Sequence, residues 1–225
     1  MTTTSKAPAS MKKYSVLIVD DHPIVRQGLE QLIAQEPDIS VCGGASNVHE
    51  ALCQIAQLQP DLVLVDISLK ESNGLDLLPR MKAACGHAKA LVWSMFDEAV
   101  YAERALRGGA SGYVNKQESV ETVIDAVRHV LRGNIYLSPR MTDCLERREE
   151  HAGSVPESPV SLLSNREMEV FTLIGHGMNA HEIAGRWKVS TKTVETHRER
   201  IKVKLRLRGA AEVSRRALLW VLENG

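Results

Sequence analysis

The chain has 225 residues, of which 44% are hydrophobic and 25% charged, and its 28 lysine and arginine residues balance 28 aspartate and glutamate residues. This composition is ordinary for a folded globular protein and excludes an intrinsically disordered chain. No apolar run approaches the ~20 residues that a membrane-spanning helix needs, and the first 13 residues lack the apolar core of a secretory signal.

We therefore interpret residues 1–13 as a flexible tail and expect a cytoplasmic protein that makes no membrane contact. The cysteines are scattered and lack C-x-x-C spacing, which predicts reduced thiols and no zinc site. They are Cys42, Cys53, Cys85 and Cys144.

The balance of charge hides a difference between two parts of the chain. Residues 160–225 contain 12 lysine and arginine residues against 7 aspartate and glutamate residues, whereas residues 1–159 contain 16 against 21. The two parts therefore carry net charges of +5 and −5. Such a split predicts a basic module that meets an anion and an acidic module that meets a cation.

After the tail, strand-like and helix-like segments alternate as far as residue 131. Five βα units in a row predict a doubly wound parallel sheet with helices on both faces. The predicted strands are 14–19, 39–42, 61–65, 90–93 and 112–114. The predicted helices begin after Pro23 and then cover 48–58, 75–84, 98–106 and 120–131.

The alternation stops after Pro139. We interpret 133–160 as a linker with a partial helix, because its second half is polar and contains two prolines. The remainder predicts four short helices at 165–175, 180–187, 191–205 and 209–222. Residues 201–208 also alternate as a half-exposed strand would, but the apolar spacing of Val194, Ile201 and Leu205 favours a helix that ends near Leu207.

Polar residues end several of the predicted strands. Because the carboxyl ends of central strands in such sheets meet at one crevice, the three carboxylates among them would repel one another unless a cation lay between them. All-oxygen ligands favour a hard cation such as Mg²⁺. Any one of these polar residues could simply be solvated at the rim of the sheet, but that interpretation does not account for all of them together. They are Asp20, Asp21, Asp66, Ser94 and Lys116.

These segments resemble the receiver domain of two-component response regulators over roughly 14–132. The successive motifs are SVLIVDDHPIVRQGL, DLVLVDISL with NGLDLL, ALVWSMFDE and GGASGYVNK. The resemblance implies the strand order 2-1-3-4-5 and makes Asp66 the phosphoacceptor. It also implies that Mg²⁺ is held by Asp20, Asp21, Asp66 and the backbone carbonyl of Ser68, that Ser94 and Lys116 contact the phosphoryl group, and that Tyr113 is an aromatic switch that moves inward.

The basic part contains two short helices joined by a tight turn, which is typical of a helix-turn-helix. Seven basic residues and two acids between 192 and 208 favour contact with a phosphate backbone. Ser190 or Thr191 is a suitable cap for the second helix.

The stretch LSNREMEVFTLIGHGMNAHEIAGRWKVSTKTVETHRERIKVKLRL is similar to the LuxR-type four-helix DNA-binding domain. The resemblance implies a DNA-binding domain over 161–225, a helix-turn-helix from Ala180 to Glu199 and a recognition helix at 191–205. It places Lys192 and Thr193 at phosphates, Glu195, Thr196 and Glu199 at base edges, and Arg198 and Lys202 at the groove wall. Val194, His197 and Ile201 would face inward.

The two resemblances together identify the chain as a member of the NarL/FixJ-type response regulators. They imply a transcription regulator that accepts a phosphoryl group from a sensor histidine kinase and binds double-stranded promoter DNA, as a homodimer when phosphorylated. It would not be a turnover enzyme. The opposite charges of the two parts suggest the further hypothesis that the unphosphorylated receiver docks on the basic module and masks it.

Two alternatives remain open from the sequence. Asp20 could be the nucleophile of a phosphatase similar to the haloacid dehalogenases, although that family has Asp-x-Asp where this chain has adjacent acids. The receiver could also serve only as a dimerisation module that is never phosphorylated, although its acidic residues are intact.

Overall fold

The computed structural model describes residues 13–70, 72–150 and 159–224. Residues 1–12 of the expected tail, and 151–158 of the expected linker, lie outside this part of the chain. None of the described helices is long and apolar enough to cross a membrane.

The first part is a five-stranded parallel sheet with helices on both faces. Its elements are β1 (Tyr14–Val19), α1 (Pro23–Ile33), β2 (Ile39–Ala45), α2 (Val48–Leu58), β3 (Leu62–Val65), α3 (Leu78–Ala84), β4 (Lys89–Ser94), α4 (Glu98–Gly108), β5 (Tyr113–Asn115) and α5 (Val120–Leu131), with a short 3-10 helix at Gly74–Asp76. The strand order is β2-β1-β3-β4-β5, which confirms the predicted fold class.

The central strands are apolar because both of their faces are covered. Four consecutive residues of β1 and all four of β3 are buried, and Val16–Val19 lie opposite Leu62–Val65 in register. The carboxyl ends of β1 and β3 therefore lie side by side. Asp20, Asp21 and Asp66 follow these ends directly.

The second part is helical, as expected, and follows α6 (Pro139–Glu150) and a 3-10 turn at Pro159–Leu162. Its four helices are α7 (Asn165–Gly175), α8 (Ala180–Trp187), α9 (Thr191–Lys204) and α10 (Ala210–Asn224). Ser164 and Asn179 each begin a capping box, and the Ser190 side chain accepts from the backbone N–H of Thr193. These caps explain why α7, α8 and α9 begin where the sequence pattern predicts them.

The sequence expectation is wrong by a few residues at the end of α9. The helix ends at Lys204, with Leu205 at its C-cap, rather than near Leu207. Arg206 adopts a left-handed conformation with φ 54°, which terminates the helix. The alternating stretch 201–208 is therefore the last turn of a helix followed by a loop, and not a strand.

Candidate functional site

Three buried carboxylates meet at the ends of β1 and β3. Asp20, Asp21 and Asp66 are 1%, 8% and 5% exposed, and one ligand atom from each, together with a His22 nitrogen, lies within 4.8 Å of the others. The sequence-predicted acids thus form one cluster, as the parallel pairing of the two strands requires.

Lys116, which follows β5, reaches into this cluster. Its Nζ lies 2.6 Å from Asp20 Oδ2 and 2.8 Å from Asp66 Oδ2. Burial lowers the pKa of Lys116, but the two carboxylates outweigh burial and leave the pKa raised. Burial, with a contribution from Asp20, raises the pKa of Asp66 more than Lys116 lowers it. One ammonium group therefore leaves the cluster with excess negative charge.

His22 lies at the exposed rim of the cluster. Its backbone N–H donates to Asp20 Oδ1 at 2.7 Å, and its ring Nδ1 lies 2.9 Å from Asp21 Oδ1. The ring contacts the acids directly, but the side chain is 65% exposed.

Mg²⁺ fits this donor set. Three carboxylates offer oxygen ligands within a few ångströms of one another, and Mg²⁺ is typically bound by one or two carboxylates together with phosphate oxygens and water. The excess negative charge left by Lys116 favours a divalent cation here.

The loop after Asp66 is held close to the site. Gly74 N–H donates to the Ile67 carbonyl at 2.8 Å, and Ser68 and Asn73 form an isolated antiparallel bridge. A Cβ on Gly74 would lie 1.8 Å from the Asp66 carbonyl oxygen, so only glycine allows this approach. The loop and Asp66 therefore form one tightly packed unit.

Ser94 and Tyr113 complete the predicted set on the neighbouring strands. Ser94 is 1% exposed at the end of β4, and its hydroxyl lies near enough to Asp66 to oppose the rise in the pKa of that carboxyl. Tyr113 is 1% exposed, and its hydroxyl donates to the Phe96 carbonyl at 2.8 Å. The Tyr113 ring lies inside in this structure, and its expected inward movement as a switch stays a prediction.

The helical part packs against the same edge of the sheet through α7. Glu169, which is fully buried, accepts hydrogen bonds from Ser68 Oγ at 2.8 Å and Asn73 Nδ2 at 3.0 Å. Arg166 lies 2.9 Å from Glu169 and stacks over the Trp187 ring at 3.3 Å. Burial raises the pKa of Glu169, although these donors oppose it.

A cavity of about 300 Å³ lies over Asp66 between the two parts. The sheet side contributes Ser94 and Lys116, and α8 contributes Arg186 and Trp187. The acidic cluster is thus covered by the helical part.

The outer face of α9 is not covered. Lys192, Thr193, Glu195, Thr196 and Glu199 are exposed, whereas Val194 and Ile201 are fully buried.

The predicted groove-wall cations of α9 are engaged within the helix. Arg198 pairs with Glu195 at 2.8 Å, and Lys202 pairs with Glu199. His197 packs edge-on to Trp187, and burial and neighbouring arginines lower its pKa, so it is a neutral packing residue at pH 7.

The two parts are in contact, as the docking hypothesis expects, and masking of DNA binding stays a prediction. The receiver contacts α7 and α8 rather than the base-facing side of α9. The reason is that the contact uses specific hydrogen bonds from Glu169 and Arg166 and does not use the general basic charge of α9.

The contacts between the sheet part and the helical part are not predicted by the sequence pattern. Glu169 and Thr172 lie in a helix whose sequence pattern is that of an ordinary core helix. Their partners, which include Tyr101 for Thr172, are 71 to 101 residues away in the chain. A carboxylate inside the apolar run of α7 was the one local signal, because a buried acid requires partners.

Comparison with protein families matches both parts. Residues 16–128 match the response regulator receiver domain, and residues 161–217 match the luxR family of bacterial regulatory proteins.

The chain is similar along most of its length to curated regulators. It is 35% identical to the oxygen regulatory protein NreC of Staphylococcus carnosus, over 90% of this chain and 96% of that protein. It is 31% identical to the nitrate/nitrite response regulator NarL of Escherichia coli, over 92% and 94%. A LuxR-family response regulator from Aurantimonas superposes with a TM-score of 0.56 at 30% identity, over 63% of this chain and 99% of that chain.

Proposed function

The chain belongs to the response regulators that join a receiver domain to a luxR-type DNA-binding domain, and from this premise we propose that phosphorylation of Asp66 controls its action on DNA. The proposed division is a receiver over 14–132, a linker over 133–160 and a DNA-binding domain over 161–225. The observation that carries the proposal is the buried cluster of Asp20, Asp21, Asp66 and Lys116.

The chemistry follows from the charges in the cluster. A carboxylate oxygen of Asp66 attacks the phosphorus of a phosphohistidine on a sensor kinase, the P–N bond breaks, and the imidazole takes up a proton. Lys116 and the Ser94 hydroxyl are placed to hold the phosphoryl oxygens as charge develops. Bound Mg²⁺, held by Asp20, Asp21, Asp66 and the Ser68 carbonyl, would neutralise further negative charge on those oxygens.

DNA contact is proposed for the exposed face of α9. Lys192 and Thr193 lie in its first turn, where backbone N–H groups and positive charge favour phosphate. Glu195, Thr196 and Glu199 would face base edges, with Arg198 and Lys202 at the groove wall. Because Arg198 and Lys202 are paired to Glu195 and Glu199 in the free protein, DNA binding must compete with these pairs.

Phosphorylation is proposed to release the contact between the two parts and to favour a homodimer on double-stranded promoter DNA. A full switch from 1:99 to 99:1 would need ~5.5 kcal/mol of differential stabilisation. The helical part would then be free to take the position that DNA requires.

The test is labelling of the full chain by acetyl phosphate with Mg²⁺, followed by intact-mass and peptide mass spectrometry. We expect one phosphoryl group, attached at Asp66, and none in Asp66→Asn. Asp125→Asn is the matched control because Asp125 is an exposed acid on α5, and it should label as the wild type does. Labelling that persists in Asp66→Asn would contradict the proposal.

The same preparation separates the two alternatives. Steady hydrolysis of many equivalents of phosphodonor that survives Asp66→Asn but not Asp20→Asn would support a phosphatase. Beryllofluoride with Mg²⁺ that leaves both oligomeric state and DNA binding unchanged would support a receiver that serves only for dimerisation.

A further inference from the structure

Phe96 connects the candidate phosphorylation site to its surroundings. It lies two residues after Ser94, and its backbone N–H donates to Ser94 Oγ at 3.4 Å. Its carbonyl accepts hydrogen bonds from Tyr113 Oη at 2.8 Å and from Asn115 Nδ2 at 3.2 Å. The position of Phe96 therefore depends on where the Ser94 hydroxyl points.

The Phe96 ring packs on Tyr101 in α4, with ring centroids 4.8 Å apart. Tyr101 is fully buried, and its hydroxyl hydrogen-bonds Thr172 Oγ1 on α7 at 3.2 Å. One turn further along α4, Arg104 donates to the carbonyls of Val160 and Leu163 at 2.8 Å each. Helix α4 thus holds the helical part through hydrogen bonds that cross between the two modules.

Tyr113 differs from Tyr101 in the partner of its hydroxyl. The Tyr113 hydroxyl bonds to Phe96, within the receiver, whereas the Tyr101 hydroxyl bonds to α7 of the DNA-binding module. Of these two buried tyrosines, Tyr101 is the one whose hydroxyl touches the other module.

We propose that Tyr101, rather than Tyr113, is the aromatic residue that passes the state of Asp66 to the DNA-binding domain, through the series Ser94, Phe96, Tyr101 and Thr172. This inference rests on the proposed function. When the Ser94 hydroxyl turns to a phosphoryl oxygen, the Phe96 N–H loses its acceptor, the Phe96 ring shifts from Tyr101, and the bond to Thr172 is lost. The bond therefore stabilises only the unphosphorylated, docked form.

The test uses linkage in the full chain with Mg²⁺ and beryllofluoride, a mimic of the phosphoryl group. A bond made only in the unliganded form weakens ligand binding by the factor by which it stabilises that form. Its removal should therefore tighten binding. Tyr101→Phe and Thr172→Val should each tighten beryllofluoride binding by roughly twofold to tenfold, the range set by one buried neutral hydrogen bond. Fluorine NMR of the bound species measures the affinity.

Three further variants make the result specific. The double variant should bind no more tightly than either single variant, since both remove the same bond. Thr172→Ser keeps the hydroxyl and should restore the wild-type affinity. Tyr136→Phe removes a tyrosine hydroxyl in the proposed linker that has no described bond to α7, and it should leave the affinity unchanged.

A second readout is the shape of the free protein. Small-angle X-ray scattering should show Tyr101→Phe to be more extended than the wild type before beryllofluoride is added. Unchanged affinity in both single variants, or gains that multiply in the double variant, would overturn the role of Tyr101. If the wild type shows no binding that depends on Asp66, the proposed function fails first and this inference fails with it.

Discussion

The acidic site and helix α9 hold their charged side chains in opposite ways. At the acidic site, Lys116 meets Asp20 and Asp66 from 96 and 50 residues away in the chain, with both carboxylates buried and the Lys116 side chain only 10% exposed. On α9, Arg198 and Lys202 pair with acids three residues away, in pairs that water reaches. The first arrangement is fixed by the fold before any ligand arrives. The second can be rearranged cheaply by a partner.

Removing the buried cation should have the largest effect. In Lys116→Ala, Asp20 and Asp66 would remain buried without an ammonium partner, and breaking a buried ion pair typically costs about 3–5 kcal/mol. We expect the free energy of unfolding, measured by urea denaturation at neutral pH without metal, to fall by that order. Addition of Mg²⁺ should restore part of it.

Arg198→Ala measures how much stability is lost when an exposed ion pair is broken. It breaks a contact that solvent screens, and such contacts contribute roughly 0.2–1 kcal/mol. Equal losses of stability in Lys116→Ala and Arg198→Ala would remove the distinction between the two regions.

The raised pKa of Asp66 predicts a pH-dependent change in the free energy of unfolding, smaller than that of Lys116→Ala. The protonated carboxyl is favoured in the folded state, and this stability is present at low pH and lost as the pH rises through the raised pKa. Asp66→Asn should therefore be more stable than the wild type at neutral and alkaline pH, by ~1.4 kcal/mol for each unit by which the pKa is raised.

The measurement is the unfolding free energy of Asp66→Asn and wild type from acid to alkaline pH, without Mg²⁺. The gain should shrink as the pH falls, because the wild-type carboxyl then becomes neutral too. Asp125→Asn, at an exposed acid, should show a flat difference. A gain from Asp66→Asn that did not vary with pH would contradict burial of its charge as the cause.

Changes on the exposed face of α9 should alter DNA binding and not the stability of the fold. Lys192→Ala should weaken binding to every duplex alike and reduce the salt dependence of log affinity by about one unit of slope. Thr196→Ala should instead change preference at one base position, by ~1–3 kcal/mol. Electrophoretic or anisotropy titrations at several salt concentrations, with mixed-sequence and selected duplexes, measure both. A change of preference without a change of slope in Lys192→Ala would show that Lys192 contacts a base.

The sequence predicted the elements that are fixed by local rules and missed those fixed by distant contacts. The apolar run of β3, the cap at Ser190 and the acids after β1 and β3 are visible as patterns, so the sheet and the acidic cluster were predictable. Strand β2 extends to Ala45, past its predicted end at Cys42, because β1 pairs with it through Gly43 and Gly44.

The contacts between the modules have no such local signal. Thr172 reads as one more core position of α7, and its role depends on the Tyr101 hydroxyl 71 residues earlier. The already buried position of Tyr113 could not be predicted either, since it depends on an acceptor at the Phe96 carbonyl.

A polar stripe on α7 faces the receiver. Arg166, Glu169 and Thr172 recur at every third position and hydrogen-bond to the receiver across the contact, and each is a polar group that water can hydrate. Separation of α7 from the receiver would therefore expose no new apolar surface on this stripe. Such bonds contribute about 1 kcal/mol each to the balance between joined and parted forms, an amount that chemistry at a single carboxylate is able to offset.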